Sequence, residues 1–391
     1  MVCIYEDEGY ADLYPLVDLR PVFGLRCGWL TLFEKFRKLY PREVFHLWVR
    51  DELAEVTTET YPGCRVNRPL KKGRLFFSAR FIPHERVPAK GRESVLMCGD
   101  EVAGFRVCAD CAVRMSSLKG LVADLAVEQV KGEVVKRPWD LVELTPAELE
   151  RELGRSRKPS AGLSRGVTVV GPKAKLSVAR GARLWPGAVV STGTGPVMLD
   201  RKAEVRPGSF VEGPCYVGPG TVIDGAKVRP KCSFGPECRV GGEVEATVFQ
   251  GHANKHHDGF IGHGFIGEWA NLGAGTTNSD LKNAYQPVTV QARGKTVDTG
   301  LLKVGCFIGD HAKTAIGTLL NTGTVVGPGA NWFEPGLSPR EIPAFAWGAR
   351  KRWKQGELVE TARAAMARRG VEMAPAYEKL LGRAFRLRRR D

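Results

Sequence analysis

The sequence predicts three consecutive parts: an α/β domain, a parallel β-helix of triangular cross-section, and a helical tail. Short apolar strands alternate with helical patterns over residues 1–153. A hydrophobic residue then recurs about every six positions through 166–341, and helical patterns follow over 342–391. A basic stretch rich in Ser, Gly and Pro at 154–165 predicts a linker between the first two parts.

The first domain begins with alternating elements. Val2–Tyr5 and residues 44–49 are short apolar runs typical of strands, whereas 31–40 and the segment that begins at Asp51 have helical periodicity. Because strands that alternate with helices build layered α/β folds, we expect a partly parallel sheet.

Three further features complete the prediction for this domain. Residues 117–130 have a helical pattern. Thr145 followed by Pro146 is typical of an N-cap and a first helical residue, so a helix is predicted over 146–155. Gly99-Asp100 separates two apolar strand patterns and predicts a hairpin turn.

The middle part is a repeat rich in glycine, with 31 of the 46 glycines between residues 160 and 336. Apolar residues stand 5 or 6 positions apart at Val205, Val211, Val217, Val222, Val228, Phe234 and Val240. A period of six is that of one face of a triangular β-helix, so we expect these residues to point inward while Gly or Pro forms the corners. The phase is lost over 276–303, which predicts a functional loop inserted into one coil.

The charge of the chain is unevenly placed. There are 58 Lys+Arg against 43 Asp+Glu, a net charge of +15, and residues 346–391 hold 13 of the basic and 5 of the acidic residues. This basic tail lacks the interleaved aromatic residues typical of single-stranded nucleic-acid binding, which disfavours nucleic acid as a partner. Anionic small molecules are the partners that the remaining charge favours.

The sequence also indicates the compartment. No apolar run is long enough to span a membrane, and the N-terminus is acidic where a signal peptide would be basic. Ten cysteines without regular spacing suit a reducing environment better than a disulfide framework. We therefore expect a cytoplasmic protein.

Four of the seven histidines lie close together, which points to a site of chemistry. These are His252, His256, His257 and His263. They could bind a metal, pack at coil corners, or supply a general base. Their spacing matches no closed zinc pattern, and Cys108 and Cys111 form a CxxC without a second pair, so the sequence leaves the metal question open.

The segment 254–283, NKHHDGFIGHGFIGEWANLGAGTTNSDLKN, resembles a known enzyme family. It is similar to the acetyltransferase half of the bifunctional N-acetylglucosamine-1-phosphate uridyltransferase/glucosamine-1-phosphate acetyltransferases. The whole chain resembles more closely a shorter group of bacterial sugar nucleotidyltransferases with a fused left-handed β-helix of hexapeptide repeats. That likeness is carried by Arg20-Pro21, Leu25-Arg26, Gly28, Glu34-Lys35, Asn67-Arg68-Pro69, the segment 254–283, NTGTVVG at 321–327, and Trp347-Gly348.

The resemblance implies a transferase of sugar-nucleotide biosynthesis that uses acetyl-CoA and forms a homotrimer with its site between subunits. His257 falls on the catalytic base and Asn271 on a sugar-contacting asparagine. Residues 273–275, which are Gly273, Ala274 and Gly275, fall where the acyl-CoA thioester is lined by backbone. Further substrate-binding candidates are Asn254, Lys255, His256, Phe260, Glu243, Glu245, Asn278, Asp280 and Lys282.

Some of these positions depart from the family pattern. Phe260 stands where the family has a phosphate-binding tyrosine, so one hydrogen bond to phosphate is absent. The family lysine falls near Gln286 in the insertion, which leaves Lys282 as the candidate for its role. The spacing upstream of His257 drifts by about two residues, so either Glu243 or Glu245 is expected to orient the imidazole.

The N-terminal domain departs further from the resemblance. The family opens with a Gly-rich GxGTRM loop around the triphosphate, but here the stretch DLRPVFGLRCGWLTLFEK has only two glycines. Arg20, Arg26 and Lys35 could supply phosphate charge instead. Whether this domain transfers nucleotides, with Mg²⁺, stays open. The alternatives are a nucleotidyltransferase with a purely structural β-helix and a non-enzymatic trimeric scaffold.

Overall fold

The computed structural model describes residues 1–68, 74–107, 125–154 and 163–387. The predicted fold class, an α/β domain followed by a parallel β-helix and C-terminal helices, is confirmed. Most of the predicted linker, Pro69, Cys108, Cys111 and the last four residues lie outside the described residues.

The N-terminal domain is built on one mixed sheet of seven strands. The strand Val2–Tyr5, fifth in the spatial order, pairs in parallel with both neighbours, which confirms the partly parallel sheet. In spatial order the strands are Ala126–Gln129, Ser94–Cys98, Glu101–Arg106, Leu75–Ser78, Val2–Tyr5, Phe45–Trp48 and Arg65–Val66. Two smaller antiparallel pairs are Arg26–Cys27 with Leu30–Thr31 and Phe81–Pro83 with Gly132–Val134.

The hairpin turn at Gly99-Asp100 is confirmed. Strands Ser94–Cys98 and Glu101–Arg106 pair antiparallel, with Cys98 opposite Glu101. Gly99 has a φ of +59°, which a residue without a side chain adopts easily in a two-residue turn.

Two of the predicted helices begin where local signals place them. Helix α1, Leu32–Leu39, starts at Thr31, whose hydroxyl accepts from the Glu34 amide while the Glu34 carboxylate accepts from the Thr31 amide. This reciprocal capping box satisfies two amides that the helix leaves free. Helix α2, Ala54–Thr60, follows a 3₁₀ turn at Asp51–Leu53, as the pattern from Asp51 predicts.

Two helix predictions disagree with the described residues. Residues 117–124 of the segment predicted as a helix over 117–130 lie outside the described residues, but Ala126–Gln129 at its end is a strand parallel to Ser94–Cys98. Helix α3 runs from Pro138 to Leu153, so Pro146 lies inside it rather than at its start. The buried Thr145 hydroxyl donates to the Leu141 carbonyl at 2.7 Å, within the helix. The N1 proline that marks the start is Pro138.

The middle part forms three sheets that stack coil on coil, which confirms the β-helix. They are parallel except for the last strand pair of the ten-stranded face, Ala346–Trp347 with Lys351–Arg352. The six-stranded face consists of Thr168–Val170, Val189–Ser191, Phe210–Glu212, Lys227–Val228, Glu243–Glu245 and Phe260–Gly262. The nine-stranded face consists of Leu176–Val178, Val197–Leu199, Cys215–Val217, Cys232–Phe234, Val248–Phe249, Phe265–Ile266, Cys306–Ile308, Thr324–Val326 and Glu341–Ile342. The ten-stranded face consists of Arg183–Leu184, Glu204–Val205, Val222–Ile223, Arg239–Val240, Asn254–Lys255, Asn271–Leu272, Lys313–Thr314, Asn331–Trp332, Ala346–Trp347 and Lys351–Arg352.

One position of the predicted repeat is wrong by a residue. Val222 pairs with Glu204 and Arg239 on the outer surface, whereas Ile223 pairs with Val205 and Val240 inside the coil. Since neighbouring residues of a strand point to opposite faces, only one of Val222 and Ile223 can enter the core.

The insertion leaves the β-helix as a hairpin. Strands Thr289–Ala292 and Lys295–Asp298 pair antiparallel, and the short strand Thr277–Asn278 before them pairs with Leu319–Leu320 after the insertion. Val288, Val290 and Val304 belong to the same hydrophobic core as the N-terminal domain. The hairpin therefore packs back toward the first domain.

The tail forms two helices, α4 at Gln355–Ala367 and α5 at Pro375–Leu387. The Tyr377 hydroxyl lies 3.0 Å from His311 Nε2 of the β-helix, which ties α5 to the coils. The remaining 3₁₀ turns are Glu8–Leu13, Val22–Gly24 and Lys173–Lys175. Over the described ranges, the structure has no helix with the length and apolar character that a membrane crossing requires.

Candidate functional site

A cleft of about 920 Å³ opens at the corner where the ten-stranded face turns into the six-stranded face. It is lined by Asp224, Gly225, Gly242, His256, His257, Asp258, Ala274, Gly275, Ile316 and Gly317. We call it the corner cleft. Of the predicted catalytic and acyl-CoA residues, it brings together His257, Ala274 and Gly275.

The cleft exists because successive coils turn this corner with different lengths of chain. The inward residues that flank the corner are five positions apart in 223–228, four apart in 240–244 and six apart in 255–261. The longest corner carries His257 outward beyond the two shorter ones, and a recess forms beside it.

The imidazole of His257 is exposed at the rim of this cleft. Its ring has no hydrogen-bond partner among the described residues, whereas its backbone carbonyl accepts from the Lys255 ammonium. An exposed neutral imidazole without a competing partner is free to accept a proton from a bound acceptor.

The carboxylate that binds an imidazole here is Asp224, and its partner is His256 rather than His257. Asp224 Oδ2 lies 3.0 Å from His256 Nε2 and 2.8 Å from Arg206 Nη1. The hydrogen bond from His256 and those from Arg206 lower the pKa of Asp224. Asp224 was not among the residues predicted from sequence, because nothing local links it to a histidine 32 positions later.

The two glutamates expected beside His257 lie on the six-stranded face. Glu243 pairs in register with Phe260 and forms an ion pair with Lys227 at 3.3 Å. Glu245 lies opposite Gly262, and its backbone carbonyl accepts from the Thr247 hydroxyl at 2.6 Å. Glu243 is therefore paired with a lysine, and the carboxylate that orients an imidazole at this corner is Asp224, which binds His256.

Lys255 occupies an inward position of its coil, in register with Val240, and is only 1% exposed. Its ammonium donates to the Gly241 carbonyl at 3.2 Å and to the His257 carbonyl. Burial lowers its pKa to about 8, although Asp258 opposes the shift. Lys255 therefore lies inside the coil behind His257 and holds the backbone of His257 in place through this hydrogen bond.

Among the three predicted acyl-CoA positions, one backbone amide has no acceptor in the described part of the chain. The Gly273 amide donates to the Thr314 carbonyl at 3.1 Å, and the Gly275 amide donates to the Asp258 carbonyl at 2.9 Å. The Ala274 amide between them has no such bond, whereas its carbonyl accepts from Gly317. Of the three predicted acyl-CoA positions, Ala274 is thus the one whose N–H can stabilise a developing oxyanion.

A second cleft of about 580 Å³, here called the tail cleft, lies on the other side of His257 between the ten-stranded face and helix α4. Asn254 and Asn271 stack on neighbouring coils there, with Asn254 Nδ2 2.7 Å from Asn271 Oδ1. His256 and His257 line both clefts. The predicted pair His257 and Asn271 therefore shares the tail cleft.

Two of the remaining predicted residues form hydrogen bonds to the preceding coil at the point where the insertion begins. The buried Asn278 side chain accepts from the Gly262 amide at 2.8 Å and donates to the Gly262 carbonyl at 3.1 Å. Asp280 Oδ2 lies 2.8 Å from His263 Nδ1. Burial opposes ionisation of Asp280, but this hydrogen bond lowers its pKa. Neither side chain lines the corner cleft or the tail cleft.

Phe260 and Lys282 also lie outside both clefts. The half-buried Phe260 is on the six-stranded face, and its amide donates to the Thr277 hydroxyl at 3.3 Å. Lys282 donates to the Pro287 carbonyl at 2.5 Å within the insertion. The structure therefore does not bring either of them to His257.

The phosphate role expected of Lys35 is not supported. The Lys35 ammonium is 4% exposed and lies 2.7 Å from Glu148 and 2.5 Å from Glu152 of helix α3. Burial disfavours the ammonium, but Glu152 and Glu148 outweigh it and raise the pKa of Lys35. Lys35 thus fastens α1 to α3 and presents no charge to a ligand.

Arg20 and Arg26 are likewise used by the chain itself. Arg20 reaches across to the β-helix, where its guanidinium lies 2.8 Å from Glu268 and 2.8 Å from Asp310. Arg26 is 6% exposed and donates to the Trp29 carbonyl, with its guanidinium 5.6 Å from the centre of the Tyr216 ring. The sequence could not show this, because the partners lie up to 290 positions away.

No group of three or more His, Cys, Asp or Glu side chains in the part of the chain that the structure describes is arranged to hold a metal ion. Three of the four clustered histidines each pair with a carboxylate instead. His252 pairs with Glu268, His256 with Asp224 and His263 with Asp280.

Comparison with known proteins agrees with the resemblance found in the sequence. Residues 2–158 match the family model described as sugar nucleotidyl transferase. A bifunctional sugar-1-phosphate nucleotidylyltransferase/acetyltransferase of Sulfurisphaera tokodaii is 30% identical over 156 residues, which are 38% of each chain. The bifunctional protein GlmU of Jannaschia sp. is 26% identical over 220 residues, 54% of this chain and 44% of that one.

Two further matches are more distant. An uncharacterized acetyltransferase, YaiX, of Escherichia coli is 23% identical over 156 residues, 40% of this chain and 56% of that one. The solved structure of Arabidopsis UDP-N-acetylglucosamine acyltransferase matches 55% of this chain and 77% of that chain, with 13% identity and a TM-score of 0.27.

These relatives are transferases by name, and the chain spans between 38% and 56% of the length of the curated relatives described. The resemblance predicted from the sequence motifs is therefore confirmed: the N-terminal part matches the sugar nucleotidyl transferase family, and the chain is similar to bifunctional sugar-1-phosphate nucleotidylyltransferase/acetyltransferases.

Proposed function

We propose that this protein is an acyl-CoA-dependent N-acetyltransferase that acts on an amino-sugar-1-phosphate or a nucleotide sugar. One observation carries the proposal: the unpartnered imidazole of His257 shares the corner cleft with the free amide of Ala274. A base and an oxyanion donor in one cleft are the two groups that acyl transfer to an amine requires. The names of the similar bifunctional proteins support acetyl transfer as the reaction.

In the proposed reaction the amine nitrogen of the acceptor attacks the thioester carbon of acetyl-CoA. The His257 imidazole takes the proton that the amine loses, and the Ala274 amide donates to the oxygen that becomes negative. Collapse of the intermediate breaks the carbon–sulfur bond, and the CoA sulfur leaves as a thiol after it takes up a proton. Asn271, in the tail cleft beside His257, would hydrogen-bond the sugar.

We also propose that the working form is a cytoplasmic homotrimer whose neighbouring subunit covers the corner cleft. Ile316 lines this cleft and is 80% exposed in the single chain, and Leu319, three residues further along the chain, is 46% exposed. Large apolar side chains that lie together at the surface are typical of a protein interface.

The direct test is an acetyl-CoA turnover assay with glucosamine-1-phosphate as acceptor. His257→Ala is expected to lower kcat by about 10²–10⁴-fold, the usual contribution of a general base. Its thermal midpoint should stay unchanged, because the ring is exposed and unpartnered. His263→Ala, outside both clefts, is the matched control and should keep most of its activity. Full activity of His257→Ala would refute the assignment.

Nucleotidyl transfer by the N-terminal domain is a second candidate, favoured by the family match of residues 2–158. The expected phosphate ligands Arg26 and Lys35 are buried and Arg20 is half-buried, and all three bind the chain's own acceptors. The described residues offer no carboxylate cluster for Mg²⁺. Pyrophosphate release should be measured with each NTP, Mg²⁺ and a sugar-1-phosphate. If the domain transfers nucleotides, His257→Ala should retain that activity. If no NTP gives pyrophosphate release, nucleotidyl transfer is refuted and acetyl transfer is the one remaining proposed activity.

A further inference from the structure

The tail cleft has a one-sided charge. Four of its lining side chains are Lys or Arg, three are His, and none is Asp or Glu. The four cations come from two separate parts of the chain: Arg239 and Lys313 from the ten-stranded face, and Arg368 and Arg369 from the end of helix α4. Such a concentration of positive charge around a cavity attracts an anion.

The lysine in this cleft is not neutralised by the protein. Lys313 Nζ donates to the His311 carbonyl at 3.1 Å, and no carboxylate lies within ion-pair distance of it among the described residues. Burial alone lowers the pKa of Lys313 to about 8. A partly buried ammonium without a counter-charge is costly, and an anionic ligand would remove this cost.

The two helix-end arginines are also available. Arg368 is exposed and Arg369 half-buried, and neither has a side-chain hydrogen bond or ion pair within the described ranges. Burial and the neighbouring Arg239 lower the pKa of Arg369, although Glu237 opposes this. Arginines at a helix C-terminus often only complement the helix dipole. Here, however, they face a cavity that also holds His257 and Asn271.

We propose that the tail cleft binds a phosphate group of a substrate, and that Arg368 and Arg369 of helix α4 are its specificity-determining ligands. The inference rests on the proposed acetyl transfer only in the choice of substrates. A guanidinium binds phosphate oxygens in bidentate fashion, and Lys313 adds a point charge on the opposite wall. The tail helix would then form one wall of the acceptor site, beside the base.

Two phosphates could occupy the cleft, that of the sugar and the 3′-phosphate of CoA. Calorimetric titration of the full chain with glucosamine-1-phosphate, glucosamine, CoA and 3′-dephospho-CoA separates them. Wild-type protein should bind one phosphorylated ligand about tenfold or more tightly than its dephosphorylated counterpart, the range of charge-assisted hydrogen bonds. Arg368→Ala/Arg369→Ala should abolish that difference, and the pair in which it vanishes identifies the phosphate.

The control is Arg350→Ala/Arg383→Ala, which removes two exposed tail arginines that do not line the cleft. It should bind all four ligands as the wild type does. Equal losses in both double variants, no change in Arg368→Ala/Arg369→Ala, or no binding of any ligand would overturn the proposal. If the protein binds a ligand through its phosphate but does not transfer acetyl groups, only the proposed function is refuted. If Arg368→Ala/Arg369→Ala transfers acetyl groups as fast as the wild type, only the phosphate site in the tail cleft is refuted.

Discussion

Lys35 provides the sharpest test of how the N-terminal domain uses its charged residues. Its ammonium is buried between Glu148 and Glu152, both of helix α3, which are themselves 4% and 7% exposed in their side chains. We expect Lys35→Met to leave two carboxylates buried without their cation. The substitution retains most of the volume of the side chain, so the loss of charge is the main perturbation.

The cost follows from the contacts that remain. Breaking a buried ion pair by removal of one partner costs about 3–5 kcal/mol. Glu152 would keep the Trp29 amide at 2.7 Å, and Glu148 would keep His84 at 3.0 Å, so the lower end is expected. About 3 kcal/mol corresponds to a fall in thermal midpoint of about 6–12 °C for a unit of this size.

The deficit should depend on pH. In wild-type protein burial raises the pKa of Glu152, whereas His84 and Lys35 overcome burial and hold the pKa of Glu148 at about 2. Without the ammonium, the folded-state pKa of Glu152 should rise further, and that of Glu148 should rise from its lowered value. The folded variant then binds more protons than the unfolded one at mildly acidic pH, so its deficit should shrink as the pH falls from 7 to about 5.

The measurement is thermal unfolding by differential scanning fluorimetry at pH 7 and pH 5. Lys38→Met, one turn along the same helix and exposed, is the matched control and should cost less than about 1 kcal/mol, since its ammonium lies 5.3 Å from the Trp29 ring centre. If Lys35→Met unfolds at the wild-type temperature but loses NTP binding, the lysine is a phosphate ligand and the present interpretation is wrong.

Three further outcomes are expected. Arg20→Leu should lower the thermal midpoint about as much as Lys35→Met does, because it removes the cation shared by Glu268 and Asp310 and weakens the contact between the N-terminal domain and the β-helix. An unchanged midpoint would contradict this. Ala274→Pro removes an amide that the coil does not use, so kcat for acetyl transfer should fall about 10²–10³-fold with little loss of secondary structure by circular dichroism. The urea midpoint of the wild-type protein should rise between pH 8 and about pH 10, because the pKa of Lys255 is lower in the folded than in the unfolded chain. Lys255→Met should make this rise smaller but not abolish it, because the pKa of Lys313 is lowered in the same way.

Features set by short stretches of chain could be predicted from the sequence. The capping box at Thr31 and Glu34 and the hairpin turn at Gly99 depend on residues within three positions of each other. The β-helix was predictable for the same reason, since each coil repeats one local rule about inward apolar residues and corners. His257 and Ala274 could be singled out because the segment 254–283 resembles a known acetyltransferase family.

Features that join distant parts of the chain required the tertiary structure. Helix α3 contains Pro146 because its apolar side is packed into the core, which a helix-start signal at Thr145 cannot reveal. The two asparagines of the ten-stranded face line the tail cleft together with Arg368 and Arg369 only because the tail folds back onto the coils.

The sequence by itself therefore determined the architecture and the corner at which chemistry is expected, because repeat spacing and turn residues act locally. Only the tertiary structure decided what each charged side chain does. Arg20 looked like a phosphate ligand until folding brought Glu268 and Asp310 to it, and Asp224 looked unremarkable until it met His256. The physical reason is that the role of a charge is set by the partners and the solvent around it, and both are fixed by contacts between distant segments.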